Sequence, residues 1–393
     1  MPAIYVHIPF CQQRCWYCDF ITYANKASLI PQYLEALLQE IRLLGSAAPE
    51  TDKEVGSIFL GGGTPSLLQP GQVRAILSAI QQRFEVRPDA EITLEANPGT
   101  ISLGKLQGYR EAGVNRLSLG IQSFDDIELA GIGRIHNAKI AYESIELARL
   151  AGYKALSLDL IFGLPGQTLQ SWEASLDAAL AAPARHLSLY SLILEEGTFL
   201  ASQVAQGAVK LPEDDLTAGM YELAREKLAA AGWKHYEISN WALSAADESR
   251  HNKVYWQQND WLGVGVGAHG LCNGWQTANI ETIEGYISAI GDEPQSLEFP
   301  LSPTNASRLR VDTDDSMRTF MIFGLRLLEE GVSEAEFQLR FGQGMGKVFG
   351  REIERLLKRG LIERVDFPDG PHLRLTHAAV PIGNQAFMEF VES

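Results

Sequence analysis

Residues 3–20, AIYVHIPFCQQRCWYCDF, run from a short β-rich stretch straight into a loop that holds three of the chain's four cysteines: Cys11, Cys15 and Cys18. A β-branched and aromatic run followed by a polar loop is the opening of a βα unit. Further runs of the same kind lie at 57–60 (SIFL), 91–96 (EITLEA), 115–121 (NRLSLGI), 154–160 (KALSLDL) and 187–194 (LSLYSLIL). Amphipathic segments fall between them, such as 31–45 with Leu34, Leu37, Leu38, Ile41 and Leu44, and 71–84 with Val73, Ile76, Leu77, Ile80 and Phe84. This alternation predicts an α/β fold with a parallel sheet and right-handed crossovers. The even spacing favours a partial (β/α)6 TIM-like barrel over residues 1–240.

After residue 240 the pattern changes. Residues 241–300 read as an irregular connecting segment, aromatic- and Gly-rich, with HNKVYW at 251–256, GVGVGAHG at 263–270, and a linker in GDEPQSLEFPLSP, 291–303. Residues 301–393 read as a smaller C-terminal domain, mainly helical and winged-helix-like. Its helical stretches are MRTFMIFGLRLLEEG and REIERLLKRGLIE, and HLRLT supplies the wing.

Composition limits the function classes. The chain has 393 residues, 46% hydrophobic and 21% charged, enough for a substantial core. A net charge of -16 and a pI near 5.0 argue against nucleic acid and anionic membranes as partners, and the wing region lacks a basic recognition helix. No apolar run reaches the roughly 18 residues of a membrane span, and the first ten residues lack signal-peptide character, so a cytoplasmic protein is expected. In a reducing compartment, clustered thiols point to metal binding or redox chemistry rather than disulfides.

In α/β barrels the chemistry collects where the strands end and the βα loops begin. Cys11, Cys15 and Cys18 follow the first strand, GGGTPS (61–66) follows the second, and Glu95, Gln122, Asp159 and Ile193 lie at or near the ends of the next four. Three thiolates on a 4Fe-4S cubane leave one iron with an open position for a small molecule, which suits reductive cleavage of S-adenosylmethionine. The glycine loop lets backbone approach a ligand closely, and the acidic and amide side chains offer it partners. The plainer alternatives are a structural zinc site, which ordinarily needs a fourth ligand, and capping or ion-pair roles for Glu95, Arg134 and Asp159.

The C-x3-C-x2-C spacing, with Tyr17 just before the last cysteine, is similar to the signature of the radical S-adenosylmethionine superfamily. Together with YVHIPFC, CDF, GGGTPS, EANPGT, GIQSF, GRIHN, LDLIFGLPGQT and GVGAHG, the chain resembles the oxygen-independent coproporphyrinogen oxidase-like branch from about Tyr5 to His269. The resemblance implies a 4Fe-4S cluster on Cys11, Cys15 and Cys18. It implies S-adenosylmethionine contacts at Tyr5, Tyr17, Gly62, Gly63, Thr64, Glu95, Gln122, Arg134, Asp159 and Ile193.

Within that branch, true coproporphyrinogen oxidases carry a further cysteine where this chain has Phe20. HNKVYW instead resembles the H-N-x-x-Y-W signature of HemW-type haem chaperones. That likeness implies haem binding through His251, Asn252, Tyr255 and Trp256, and transfer of haem to haem-requiring acceptor proteins, respiratory membrane complexes among the candidates. A His imidazole can ligate haem iron and aromatic rings can stack on the porphyrin. It leaves open a homodimer and peripheral membrane contact. The alternative function is a radical enzyme that oxidatively decarboxylates a tetrapyrrole. On residue chemistry alone, His251, Tyr255 and Trp256 fit core packing equally well. His136, His186, His235, His372 and His377 take structural roles on the same reasoning, and Cys272 that of a buried thiol.

Overall fold

The computed structural model describes residues 2–291 and 297–391. Six parallel strands form the centre of its main sheet: β1 Ala3–Ile8, β2 Glu54–Gly62, β3 Glu85–Ala96, β4 Arg116–Gln122, β5 Ala155–Phe162 and β6 His186–Ser191. They pair in chain order, each with the next, in parallel register. The crossovers carry helices α1 Ile30–Ala47, α2 Pro70–Gln81, α3 Leu103–Ala112, α4 Ala138–Leu150 and α5 Leu169–Ala181. Each lays an apolar stripe on the sheet: Leu34, Leu37, Ile41 and Leu44 from α1, and Val73, Ile76, Leu77 and Ile80 from α2, are buried in one continuous core. The expected partial barrel is therefore present.

The sheet extends on both flanks. After β6, helix α6 Asp214–Ala230 leads to β7 Lys234–Glu237 and β8 Asn240–Ala242, which close that side antiparallel. On the other side β9 Trp261–Val264 pairs parallel with β1, followed by antiparallel β10 His269–Cys272, β11 Trp275–Asn279 and β12 Asn305–Arg310, so that the complete sheet has 12 strands.

This corrects the description of 241–300 as irregular. The segment holds helix α7 Arg250–Trp256, three sheet strands and helix α8 Ile283–Gly291, and its Leu262, Val264, Val266, Ile283 and Tyr286 join the barrel core. WLGV is too short, and too interrupted by glycine, to show an alternating pattern. Only its place beside the free edge of β1 makes it a strand. Part of the linker assigned to 291–303, residues 292–296, lies outside the described residues. Just beyond it, Leu301, Ser302 and Thr304 are buried.

One carboxylate fastens that flank to the barrel. Glu40 of α1 is fully buried and accepts hydrogen bonds from the Gly265 backbone N–H at 2.8 Å, Tyr286 Oη at 2.5 Å, Asn279 Nδ2 at 3.0 Å, Ser302 Oγ at 3.0 Å and the Thr304 hydroxyl. Burial pushes its pKa up, and the donors pull it back.

The C-terminal region has its own core, with Met317, Phe320, Phe337, Ile353, Leu356, Leu373 and Phe390 among its members. Helices α9 Thr313–Gly324, α10 Glu334–Phe341 and α11 Gly350–Lys358 pack against a three-stranded antiparallel sheet of β13 Val332–Ser333, β14 Ile362–Phe367 and β15 Gly370–Leu375. The β14–β15 hairpin is the wing. Among the described residues, no helix is long and apolar enough to cross a membrane.

Candidate functional site

The cysteine loop leaves β1 and is pinned from several sides. Tyr23 N donates to Pro9 O at 2.7 Å, Trp16 N to Ile132 O at 3.0 Å, Gln13 Nε2 to Gly133 O at 3.1 Å and Leu200 N to Trp16 O at 2.8 Å. His7, the nearest candidate in sequence for a fourth zinc ligand, adds a further tie. Its Nε2–H donates to Ile21 O at 2.8 Å while Nδ1 accepts from Tyr5 Oη at 3.0 Å. The glycine loop packs beneath. Gly62 has φ 108°, and a Cβ there would lie 2.5 Å from the His7 ring, so the close approach of loop to loop requires glycine.

These loops surround one cavity of about 490 Å³ at the C-terminal ends of the strands. Its walls include all three clustered cysteines and Tyr17, Gly62, Gly63, Thr64, Glu95, Gln122, Arg134, Asp159 and Ile193. Of the residues assigned there from sequence, Tyr5 alone is not in the lining; it lies deeper, bonded to His7. Ile193 lies past the end of β6 and is 66% exposed at the mouth, where Phe20, at 64%, also stands. Gln122 ends β4 with φ 68°, a left-handed backbone that a glutamine rarely adopts.

Acidic groups dominate the floor. Glu95 accepts the Gly62 N–H at 3.2 Å, and burial followed by the charge of Asp159 raises its pKa to about 8. Asp159 accepts from Ser118 Oγ at 3.0 Å; burial raises its pKa to about 6 against the pull of the serine hydroxyls. Both environments favour a ligand that brings positive charge. Arg134 supplies the cation on the other side, donating to Gly120 O at 2.5 Å, Asn97 Oδ1 at 2.7 Å and Cys15 Sγ at 3.3 Å. Asn97 also donates to Thr64 Oγ1 at 2.9 Å, a bridging role that was visible in sequence only as part of EANPGT.

The donor set fits an iron–sulfur cluster better than zinc. Three thiols stand at the cavity wall, the number that holds a 4Fe-4S cluster with one iron open, whereas a structural zinc site ordinarily takes four protein ligands.

The HNKVYW residues are elsewhere. They form α7, whose N-terminus is capped by Ser249 and whose Arg250 and His251 N–H groups donate to the Glu91 carboxylate at 3.2 and 3.0 Å. His251 is 1% exposed and stacks on Phe59, ring centroids 5.1 Å apart. Its Nδ1 is hydrogen-bonded to Ser57 Oγ at 3.0 Å and its Nε2 to Tyr255 Oη at 2.8 Å. Burial lowers its pKa to about 3, so the ring is neutral. In this conformation both nitrogens of His251 are engaged, and His251 and Tyr255, four residues apart on one helical face, plug the barrel from beneath. Trp256 faces the C-terminal region, with the Arg326 guanidinium 4.3 Å above its ring, and Asn252 stays partly exposed.

Of the other histidines His136, His186 and His372 are buried, His186 between Ser157 Oγ at 2.7 Å and Tyr236 Oη at 2.8 Å, whereas His269 and His377 are exposed. Cys272 is 2% exposed.

Comparison with known proteins places this architecture. Residues 5–179 match the family model described as Radical SAM superfamily, and residues 311–382 match the HemN C-terminal domain. The protein named heme chaperone HemW of Bacillus subtilis is 38% identical over 392 residues, covering 100% of this chain and 99% of that one. A Bos taurus protein named radical S-adenosyl methionine domain-containing protein 1, mitochondrial, is 43% identical over 92% of this chain and 81% of its own length. The solved coproporphyrinogen III oxidase HemN of Escherichia coli superposes with a TM-score of 0.81 over 99% of this chain and 90% of that one; at 23% identity it shows a shared fold. The radical SAM family implies a 4Fe-4S cluster and S-adenosylmethionine, and the chain has Cys11, Cys15 and Cys18 at the cavity wall for the former. The chain belongs to the radical SAM superfamily, in the family whose curated members are named heme chaperone HemW.

Proposed function

We propose that this protein is a haem chaperone, which binds haem and passes it to haem-requiring acceptor proteins. The observation that carries this reading is the end-to-end likeness to the Bacillus subtilis HemW protein. Phe20 supports it against the coproporphyrinogen oxidase alternative: an exposed phenyl ring stands at the cavity mouth where the oxidases have a cysteine.

In this reading Cys11, Cys15 and Cys18 hold the 4Fe-4S cluster, which, when bound, supplies an electron at an iron with an open coordination position. Tyr17, Gly62, Gly63, Thr64, Glu95, Gln122, Arg134, Asp159 and Ile193 hold S-adenosylmethionine in the cavity, with Tyr5 supporting them from beneath through His7. The six parallel strands within 1–240 present this site, the flank of β9 to β12 completes their sheet, and the helices and wing from Thr313 onward make the C-terminal domain. Helix α7 carries the haem motif.

Glu95 is mostly protonated at pH 7 because its pKa is raised to about 8. The sulfonium and ammonium charges of S-adenosylmethionine favour the carboxylate, so binding releases a proton. Affinity rises from pH 6 to pH 8 and levels off above. Calorimetry at pH 7 in buffers of different ionisation enthalpy is expected to detect this release, and Glu95→Gln to abolish it. Equal heats in all buffers would remove Glu95 from the cofactor site.

Haem ligation by His251, with Asn252, Tyr255 and Trp256 around the porphyrin, requires α7 to withdraw from the barrel, because both ring nitrogens are otherwise engaged. Haem is therefore expected to bind stoichiometrically and to raise hydrogen exchange at residues 249–258 at least about tenfold. His251→Ala is expected to weaken the Soret change. A full-strength Soret band in His251→Ala, with no change in exchange, would move the haem site away from this helix. Consumption of coproporphyrinogen by the reconstituted protein would restore the oxidase alternative.

A further inference from the structure

Two of the three clustered cysteines accept a hydrogen bond from another βα loop. Arg134 Nη1 donates to Cys15 Sγ at 3.3 Å, and Thr64 Oγ1 donates to Cys11 Sγ at 3.5 Å. Thr22 is 7% exposed, and its hydroxyl has no hydrogen-bond partner. It lines the same cavity as Cys11 and Cys18. A buried hydroxyl left without a partner is destabilising, so its retention there needs a compensating acceptor. Anionic sulfur is such an acceptor.

The donors are themselves held in place. The Arg134 guanidinium is fixed by Gly120 O and Asn97 Oδ1, and Asn97 in turn donates to Thr64 Oγ1 at 2.9 Å. Arg134, Asn97 and Thr64 thus form one rigid unit spanning the second, third and fourth βα loops against the cysteine loop. Backbone bonds pin the loop in addition to these contacts.

We propose that Arg134, Thr64 and Thr22 form a donor cage that raises the reduction potential of the cluster held by Cys11, Cys15 and Cys18. This rests on the cluster assignment made above. Reduction adds one electron to an already anionic cluster; hydrogen bonds to the sulfurs, and above all a fixed cation, favour the more negative state. Thr22 and Thr64 are then positioning residues for the cluster, and Arg134 contributes its charge there in addition to its place in the cofactor cavity. The consequence is a cluster that is easier to reduce and held so by residues on separate loops.

The test is EPR-monitored potentiometric titration of the anaerobically reconstituted full chain, with iron and sulfide determined on the same samples. Arg134→Gln is expected to make one-electron reduction at least about tenfold less favourable, about 59 mV lower in potential. Thr22→Val and Thr64→Val, which keep side-chain shape, are expected to shift it in the same direction by about threefold each. A wild-type protein that assembles no cluster would overturn the cluster assignment together with the cage. Variants with full cluster content and wild-type potential would overturn the cage alone. Should Arg134→Gln fail to assemble a cluster, the two valine variants decide the matter in the same way.

Discussion

Cys15→Ala is expected to leave the barrel folded and to reduce the iron and sulfide retained after anaerobic reconstitution to below about a tenth of the wild-type content. Changing the outer partners of a metal ligand already costs about 10–100-fold in metal affinity, and losing one of three protein ligands costs more. The neighbouring Trp16 backbone bonds to Ile132 and Leu200 hold the turn without the Cys15 thiol. Arg134 would lose its sulfur partner but keep Asn97 and Gly120. The measurement is cluster content, the charge-transfer absorbance of the reconstituted protein and circular dichroism on the same samples. Cys272→Ala, remote and buried, is the control and should retain the full cluster. Wild-type iron content in Cys15→Ala would remove this cysteine from the ligand set.

The second large effect concerns stability. Glu40→Ala is expected to destabilise the protein by about 4 kcal/mol, because a buried acceptor of several hydrogen bonds is lost and its donors are stranded away from water. Those donors come from the Gly265 turn, β11, α8 and the Ser302–Thr304 stretch, so the loss is concentrated where the 261–304 flank docks on α1. Glu40→Gln keeps the volume and one acceptor oxygen but sets an amide N–H against the surrounding donors; about half the loss is expected. Urea unfolding read by tryptophan fluorescence, with hydrogen exchange to locate the opening, tests both. An unchanged midpoint in Glu40→Ala would mean that apolar packing alone holds the flank.

The barrel was legible because its strands are buried on both faces and its helices on one. Those two patterns survive in a single sequence as short apolar runs alternating with 3.6-residue stripes. The cavity residues were legible for a related reason. In a parallel barrel every strand ends on the same rim, so Glu95, Gln122, Asp159 and the cysteine and glycine loops had to meet once the strands were recognised. Thr22, His7 and Glu40 were not legible. Thr22 and His7 look ordinary in sequence, and their surroundings depend on how the long loop after β1 folds back on itself and on the barrel. Glu40 sits between Leu37 and Ile41 on the buried face of α1, where a charge is a local contradiction. Its partners lie more than 200 residues away, at Gly265, Asn279 and Tyr286.

The amino-acid order alone specified the βα alternation, the three-thiolate loop and its family, and the separate C-terminal unit, because each is written in local spacing that needs no distant partner. Tertiary packing settled the strand at Trp261–Val264, which exists because β1 has a free edge, and the state of His251. The chemistry of a histidine is set by what surrounds its two nitrogens. Here Ser57 and Tyr255 occupy both, and they do so only after α7 has docked beneath the barrel.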